Sequence, residues 1–368
     1  MLYDGVYGAQ KMEGLRMQDF VRIQERYRAF WNRENETPLL WLCAPRAHTD
    51  YSRAPRRPEK TEDRWLDFAY VIRSHRVWME NTYYGGDAYP NFMPNLGPDI
   101  LGAICGGDIA FGETTSWARP CVAEWEGHPD IVFDENNVWW QRIRTLTEMA
   151  VADSRGDYCV QITDLHAGMD ALVSLRGAQE LCMDVLDCPG LLQRYTMQVY
   201  DVFREVYDRL YAITSRLGMG TTNWLNIWSD RKWYVTSCDF SCLISPEQLA
   251  ELVLPELRAE LSYLDESVWH LDGTQCARHL DALLSLEKLN GIQYVNSEFD
   301  RRPTDYLPMI RKIQQHGKLF QMAIGPEDLD AFLTELEPQG LFLTVSVKDE
   351  SEAREIEEYV ARYYRRRR

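Results

Sequence analysis

Apolar positions along this chain repeat with two different periods, and the change from one to the other divides it into elements. Residues 15–34, LRMQDFVRIQERYRAFWNRE, place apolar and aromatic side chains at helical spacing among many charges, which predicts an amphipathic helix outside the main body. Thr37-Pro38 then introduces LLWLCAPR, a short strand of the buried type. A helical pattern resumes over 61–82. The tract GGDAYPNFMPNLGPDILGAICGGD follows, crowded with glycine and proline, and an irregular stretch of that length inside a domain points to function. Residues 113–135 suggest an inserted hairpin or extended excursion, and 136–152 a helix.

Beyond residue 157 the chain settles into alternation. YCVQITDLHAG reads as a strand with a polar exit, and 170–216 as mainly helix, broken at Arg176-Gly177 and at Cys188-Pro189-Gly190. TTNWLNIWSD and WYVTSCDFS read as extended segments. Pro246 opens a helix to about 262 with Ser245 as its N-cap. SVWHLDG, GIQYVN, KLFQMAI and GLFLTVSV are then strands, separated by helices at about 275–287, 303–315 and 326–336, and a last helix starts at 349. Alternating strands and helices imply parallel β/α units, and near-continuous apolar strands imply a sheet covered on both faces. About eight strands with no Gly-rich dinucleotide fingerprint favour an α/β fold of the (β/α)8 TIM-barrel type over a doubly wound sheet. The expected organisation is an N-terminal helical extension over 1–36 and one barrel over 37–368.

Composition narrows the functional classes. Forty basic against 57 acidic residues gives a formal charge of −17, which argues against nucleic acid as a partner. The arginines at 365–368 close a helical segment, where cations suit the helix C-terminus. The opening MLYDGVYGAQ lacks a basic region followed by an apolar run, and no stretch is apolar for long enough to span a bilayer, so neither a signal peptide nor membrane attachment is expected. Nine cysteines without a C-x-x-C pair fit reduced thiols in the cytoplasm. Twelve tryptophans and twenty tyrosines leave room for a homodimer.

Candidate chemistry gathers where strands end, as barrels require. In chain order the exits offer Arg46, Asp87, Asp164 with His166, Trp228, Cys238 with Asp239, His270 with Asp272, and Asn296 with Glu298. One aspartate at a strand end is more often a helix cap, and His279 reads as structural; the recurrence from exit to exit is what suggests a site. His270 and Asp272 stand two apart on one strand, so they project from the same face, beside a glycine that lets the backbone turn away. Three chemistries suit the set. Histidine, carboxylate and cysteine are zinc ligands. Paired carboxylates with Arg46 as an anion clamp could bind an acidic substrate and move protons. Cys238 with His270 as its base would be a nucleophile.

PLLWLCAPR, GGDAYPNFMPNLGP, TDLHAGMDALVSLRG, CDFSCLISPEQLAELVLPEL, and HLDGTQCARHLDALL followed by GIQYVN together resemble the uroporphyrinogen decarboxylase superfamily, from about residue 37 to the end. The resemblance implies a (β/α)8 barrel and one of two activities: tetrapyrrole decarboxylation, or methyl transfer serving corrinoid proteins. Of the decarboxylases' arginine-rich R-Q-x-G-R clamp only Arg46 matches. Of the methyltransferases' zinc-binding H-x-C, His270 matches but Asp272 replaces the cysteine, and the last strand offers no second one. A metal site, zinc or another divalent ion, would then be a mixed set drawn from His270, Asp272, Cys238, Asp239, Glu298 or His166, or there is none. The expectation is methyl transfer on a small methylated substrate with a corrinoid protein as partner. His270 and Asp272 would activate substrate or hold metal, Asp239 and Glu298 would be further ligands or acid/base groups, and Asp87, Asp164, His166 and Arg46 would orient the substrate. Trp228 would wall the pocket, with Cys238 and Asn296 lining it. The alternatives are a decarboxylase or lyase using Arg46 with Asp87 or Asp239 as acid, and a non-catalytic binding barrel.

Overall fold

The computed structural model describes residues 17–367; residues 1–16, with the opening segment and the start of the first predicted helix, and Arg368 lie outside the described residues. In chain order the elements that place the site are α1 (Met17–Trp31), β1 (Leu39–Pro45), β2 (Thr82–Gly86), β3 (Asn91–Phe92), β4 (Cys159–Val160), α2 (Gly168–Arg176) and α3 (Pro189–Thr214). They continue with β5 (Thr221–Thr222), β6 (Trp228–Ser229), β7 (Trp233–Ser237), α4 (Leu254–Tyr263), β8 (Glu266–Asp272), β9 (Gly291–Val295), β10 (Leu319–Ile324), β11 (Leu341–Val345) and α5 (Glu350–Arg365).

Seven strands form one sheet in the order β2-β1-β11-β10-β9-β8-β7, parallel throughout except that β2 runs antiparallel to β1. The chain carries on past both edges in shorter pieces. β3 and β4 form a two-stranded parallel ladder, the Ile162 N–H donates to the Thr222 carbonyl at 2.9 Å, and the Trp233 indole donates to the Thr221 carbonyl at 3.1 Å. The ladder is not continuous around the ring, and the predicted strand at 221–230 is a hairpin of β5 and β6 whose tip, 223–227, turns through Asn226 at φ +59°.

Strand register sorts side chains onto two faces. Trp269, Leu271, Ile292, Met322 and Leu343 are buried in the larger core, which also holds the inward stripe of α3. The opposite face carries Ser237, His270, Gln293 and Gln321, in register across β7 to β10, with Thr344 on β11. A polar row across five neighbouring strands of an otherwise apolar sheet marks the place where the fold departs from packing alone.

The helices start and stop where local chemistry dictates. Ser245 accepts from the Gln248 N–H at 3.2 Å in a reciprocal capping box, as its position before Pro246 predicts. The predicted break at Gly177 is a turn at φ +92°, which a residue without Cβ adopts freely. α1 closes the sheet at its starting end, where Tyr27 packs edge-on against Tyr89 and Phe342 at 5.9 and 6.0 Å. Among the described residues no helix is long and apolar enough to cross a membrane.

Glu256 and Glu260, one turn apart on α4, are both buried. Burial pushes the Glu256 carboxyl up to about 8 and holds Glu260 well above the carboxylate range. The folded protein thus keeps protons that the unfolded chain releases near pH 4.5, so stability falls as pH rises from about 5 to 8. Glu256→Gln removes that titration and keeps the shape. Urea midpoints measured across this range should fall less steeply for the variant, which gains on the order of 2 kcal/mol at pH 8; an unchanged slope would contradict the assignment.

Candidate active site

Two histidines and four aspartates converge where β4, β7 and β8 end. Their backbone is fixed first. The Tyr234 hydroxyl donates to the Thr163 carbonyl at 2.7 Å and accepts from the Leu165 N–H at 2.6 Å, which holds the segment that presents Asp164 and His166. Asp170, in the first turn of α2, accepts from the backbone N–H of Asp239 at 2.8 Å and of Phe240 at 2.9 Å, one to each carboxylate oxygen. Asp239 is thereby held just past the end of β7. On β8, His270 and Asp272 share the inner face, and Gly273 at φ +72° turns the chain away where a Cβ would collide with the Ser297 hydroxyl.

His166 sits among carboxylates. Its Nε2 lies 3.1 Å from Asp164 Oδ1, and its Nδ1 lies 3.4 Å from Ser237 Oγ, 3.6 Å from Asp170 Oδ2 and 3.9 Å from Asp239 Oδ2. Burial disfavours the imidazolium, but Asp164 and then Asp170 more than offset it, and the pKa stands well above the usual histidine value. This ring is charged at neutral pH.

His270 is placed differently. Its Nδ1 meets Gln293 Oε1, its neighbour in register on β9, and Trp224 packs edge-on against the ring at 5.2 Å. An amide oxygen accepts, so Nδ1 carries a proton, and Nε2 faces Asp239 Oδ1, 3.6 Å away. That Oδ1 is buried and has no hydrogen-bond partner. Burial, then the neighbouring Asp170, pushes the Asp239 carboxyl up to about 6 against the pull of both histidines, even though part of the side chain faces open space.

Two sets of donor atoms lie close enough to share a cation: His166, Asp170 and Asp239, and Asp239, His270 and Asp272, the atoms of each within 4.8 Å of one another. They differ in hydrogen bonding. In the first set both nitrogens of His166 face carboxylates, whereas in the second Gln293 holds His270 Nδ1, Nε2 faces the site and Asp239 Oδ1 is unpartnered, which suits a metal. Its donors are oxygen and imidazole nitrogen, a hard-to-intermediate set. Among the described residues neither set includes a cysteine.

The predicted residues separate into those the fold gathers and those it does not. His270, Asp272, Asp239, Asp164 and His166 come together. Cys238 is buried beside them with its thiol pushed well up by burial and then by Asp170 and Asp239, which disfavours the thiolate. Glu298 and Asn296 belong to the loop after β9: Glu298 accepts from the Thr274 hydroxyl and pairs with Arg301 at 2.6 Å, while Asn296 Oδ1 accepts from the Tyr306 hydroxyl at 3.0 Å. Arg46, expected to orient substrate, instead donates to the Thr82 carbonyl at 3.1 Å and makes no ion pair with the cluster.

Asp87 and Trp228 require correction. β2 runs antiparallel, pairing Thr82 with Pro45 and Gly86 with Trp41, so Asp87 arrives at the starting end of β1, the opposite end from the site. It is buried there in a pair with Arg26 at 3.0 Å and accepts from the Leu40 N–H at 3.0 Å. Trp228 donates to the Met219 carbonyl at 2.5 Å and packs against Phe20 of α1. The tryptophan at the site is Trp224.

The reading by residue missed Asp170, Gln293, Ser237 and Trp224. Asp170 follows His166 by four in TDLHAGMD, and Gln293 interrupts the apolar run GIQYV at an inward position; each was a signal available in the pattern.

No protein-family model matches the chain, and no curated protein does. Among solved structures, a methyltransferase from Methanosarcina mazei superposes with a TM-score of 0.60 over 93% of this chain and 99% of that one, at 10% sequence identity. The likeness is one of fold.

Proposed function

We propose that the chain is an N-terminal helical extension followed by a (β/α)8 barrel of the uroporphyrinogen decarboxylase-like kind, and a methyltransferase acting on a small methylated substrate with a corrinoid protein as methyl carrier. The bonds that link β3, β4 and β5 past the seven-stranded sheet support closure of the barrel. The observation that carries the catalytic reading is Asp239: a carboxylate with a buried, unpartnered oxygen, set between two imidazoles.

Asp239, His270 and Asp272 would hold a divalent cation, zinc or a harder ion. Such an ion would supply Lewis acidity toward the lone pair that the heteroatom regains as the methyl leaves. Gln293 fixes the tautomer and angle of His270. His166 Nε2–H is engaged by Asp164, whereas its Nδ1–H has only contacts of 3.4 Å or more, so the Nδ1 proton is the one free to move to the heteroatom as the methyl leaves. Asp164, 3.1 Å from Nε2, stabilises the charged ring. Asp170 keeps Asp239 in place through the backbone.

The decarboxylase alternative relied on Arg46 with Asp87 or Asp239 as acid; Asp239 is in the cluster, but Arg46 and Asp87 do not reach it.

Two measurements test the proposal. Metal analysis should find about one equivalent in the purified protein and little in Asp239→Asn; equal, negligible metal in both would remove the ion. With reduced cobalamin as surrogate acceptor, methylated substrates should yield methylcobalamin by absorbance. Release of carbon dioxide from small carboxylates with no methylcobalamin would favour a lyase.

A further inference from the structure

A cavity of about 500 Å³ opens beside His270, at the exits of β9, β10 and β11. It shares Trp224 and Gln293 with the site, and its lining includes Asn226, Gln321, Thr344, Glu327 and Asp328, the predicted Asn296, and apolar surface from Ala323 and Ile324. That volume falls in the range of small-molecule pockets.

Its charges all have one sign. No lysine or arginine lines it. Asp328 is buried and neutralised by Arg302 at 2.6 Å, but the exposed Glu327 makes no ion pair. The arginines near the strand exits are committed elsewhere, Arg46 to the Thr82 carbonyl, Arg301 to Glu298 and Arg302 to Asp328. An anionic ligand would meet Glu327 and find no lysine or arginine among the residues that line the cavity.

The unmet hydrogen-bonding valence agrees. Gln321, 6% exposed, donates from Nε2 to Thr344 Oγ1 at 3.1 Å, and its Oε1 is buried with no partner. A buried acceptor left unpaired costs about 1–3 kcal/mol, which a ligand donor would relieve.

Resting on the methyltransferase reading for its role, we infer that this cavity binds a small protonated N-methyl amine. Its N–H meets Gln321 Oε1, its charge is balanced by Glu327, and its methyl groups lie between Trp224 and the apolar wall, one of them turned toward His270. Ammonium groups are drawn to indole surfaces as well as to carboxylates.

Ligand-observed NMR titration of the full chain tests this with three probes of similar size: trimethylammonium, tert-butanol and acetate. Trimethylammonium should bind saturably and the other two at least ten-fold more weakly. Glu327→Gln, an exposed position that leaves folding alone, should weaken trimethylammonium about three-fold, and Gln321→Met about ten-fold, with thermal melting to show that both are folded. Acetate or tert-butanol binding as tightly, no binding by trimethylammonium, or binding indifferent to both substitutions would each overturn the inference. The reaction is read separately: amine binding without methylcobalamin formation keeps the ligand class and removes the methyltransferase, and methyl transfer from an ether or thioether without amine binding does the reverse.

Discussion

His270→Ala is expected to lower methyl transfer by at least about 10²- to 10⁴-fold while the protein stays folded. The ring's two nitrogens have separate duties, Nδ1 anchored on Gln293 and Nε2 presented to Asp239, so truncation removes an oriented imidazole and leaves Asp239 Oδ1 without its nearest neighbour. The effect should fall on turnover: Gln321 and Glu327, which face the cavity, are untouched, and amine affinity should change little. Initial rates of methylcobalamin formation, with amine titrations alongside, measure both. A variant that keeps its rate would take His270 out of the mechanism.

Asp87→Ala should do the opposite, costing about 3–5 kcal/mol of stability with the rate per folded molecule unchanged. The carboxylate is nearly inaccessible, and it satisfies the Arg26 guanidinium through both oxygens together with the Leu40 N–H. Removing it leaves a partly buried cation and a buried donor unmatched where α1 meets β1. Equilibrium urea unfolding would show the midpoint shift. Full stability with a lost rate would return Asp87 to the site.

These two residues show where a sequence reading succeeds and where it stops. His270 and Asp272 could be paired from sequence because a strand's period is fixed and the run SVWHLDG is short, apolar and bounded by glycine. Asp164 and His166 followed from the same logic at the end of β4. Asp87 has equally suggestive neighbours, but its meaning depends on the direction of β2, and a strand's direction is a tertiary fact that its own residues do not encode. Trp228 and Trp224 are four apart in one apolar run, and only the hairpin through Asn226 sends the first toward α1 and the second toward His270. Gln293 and Gln321 looked like blemishes in apolar strands. Register turns them into a row beside the histidine. The breaks at Gly177 and Cys188 were legible because backbone chemistry at a helix end is local.

The turn at 223–227 joins regions that otherwise stay apart. The Asn226 carbonyl accepts from the hydroxyls of Tyr27 on α1 and Tyr89, each at 3.1 Å, and its side chain accepts from Gln161 at 2.8 Å, while the same residue and Trp224 line the cavity. The outer helix therefore reaches, through one carbonyl, the floor on which a ligand would rest. Sequence drift in α1 could retune the pocket's depth without altering any residue of the active cluster, making the least site-like part of the chain a remote dial on its selectivity.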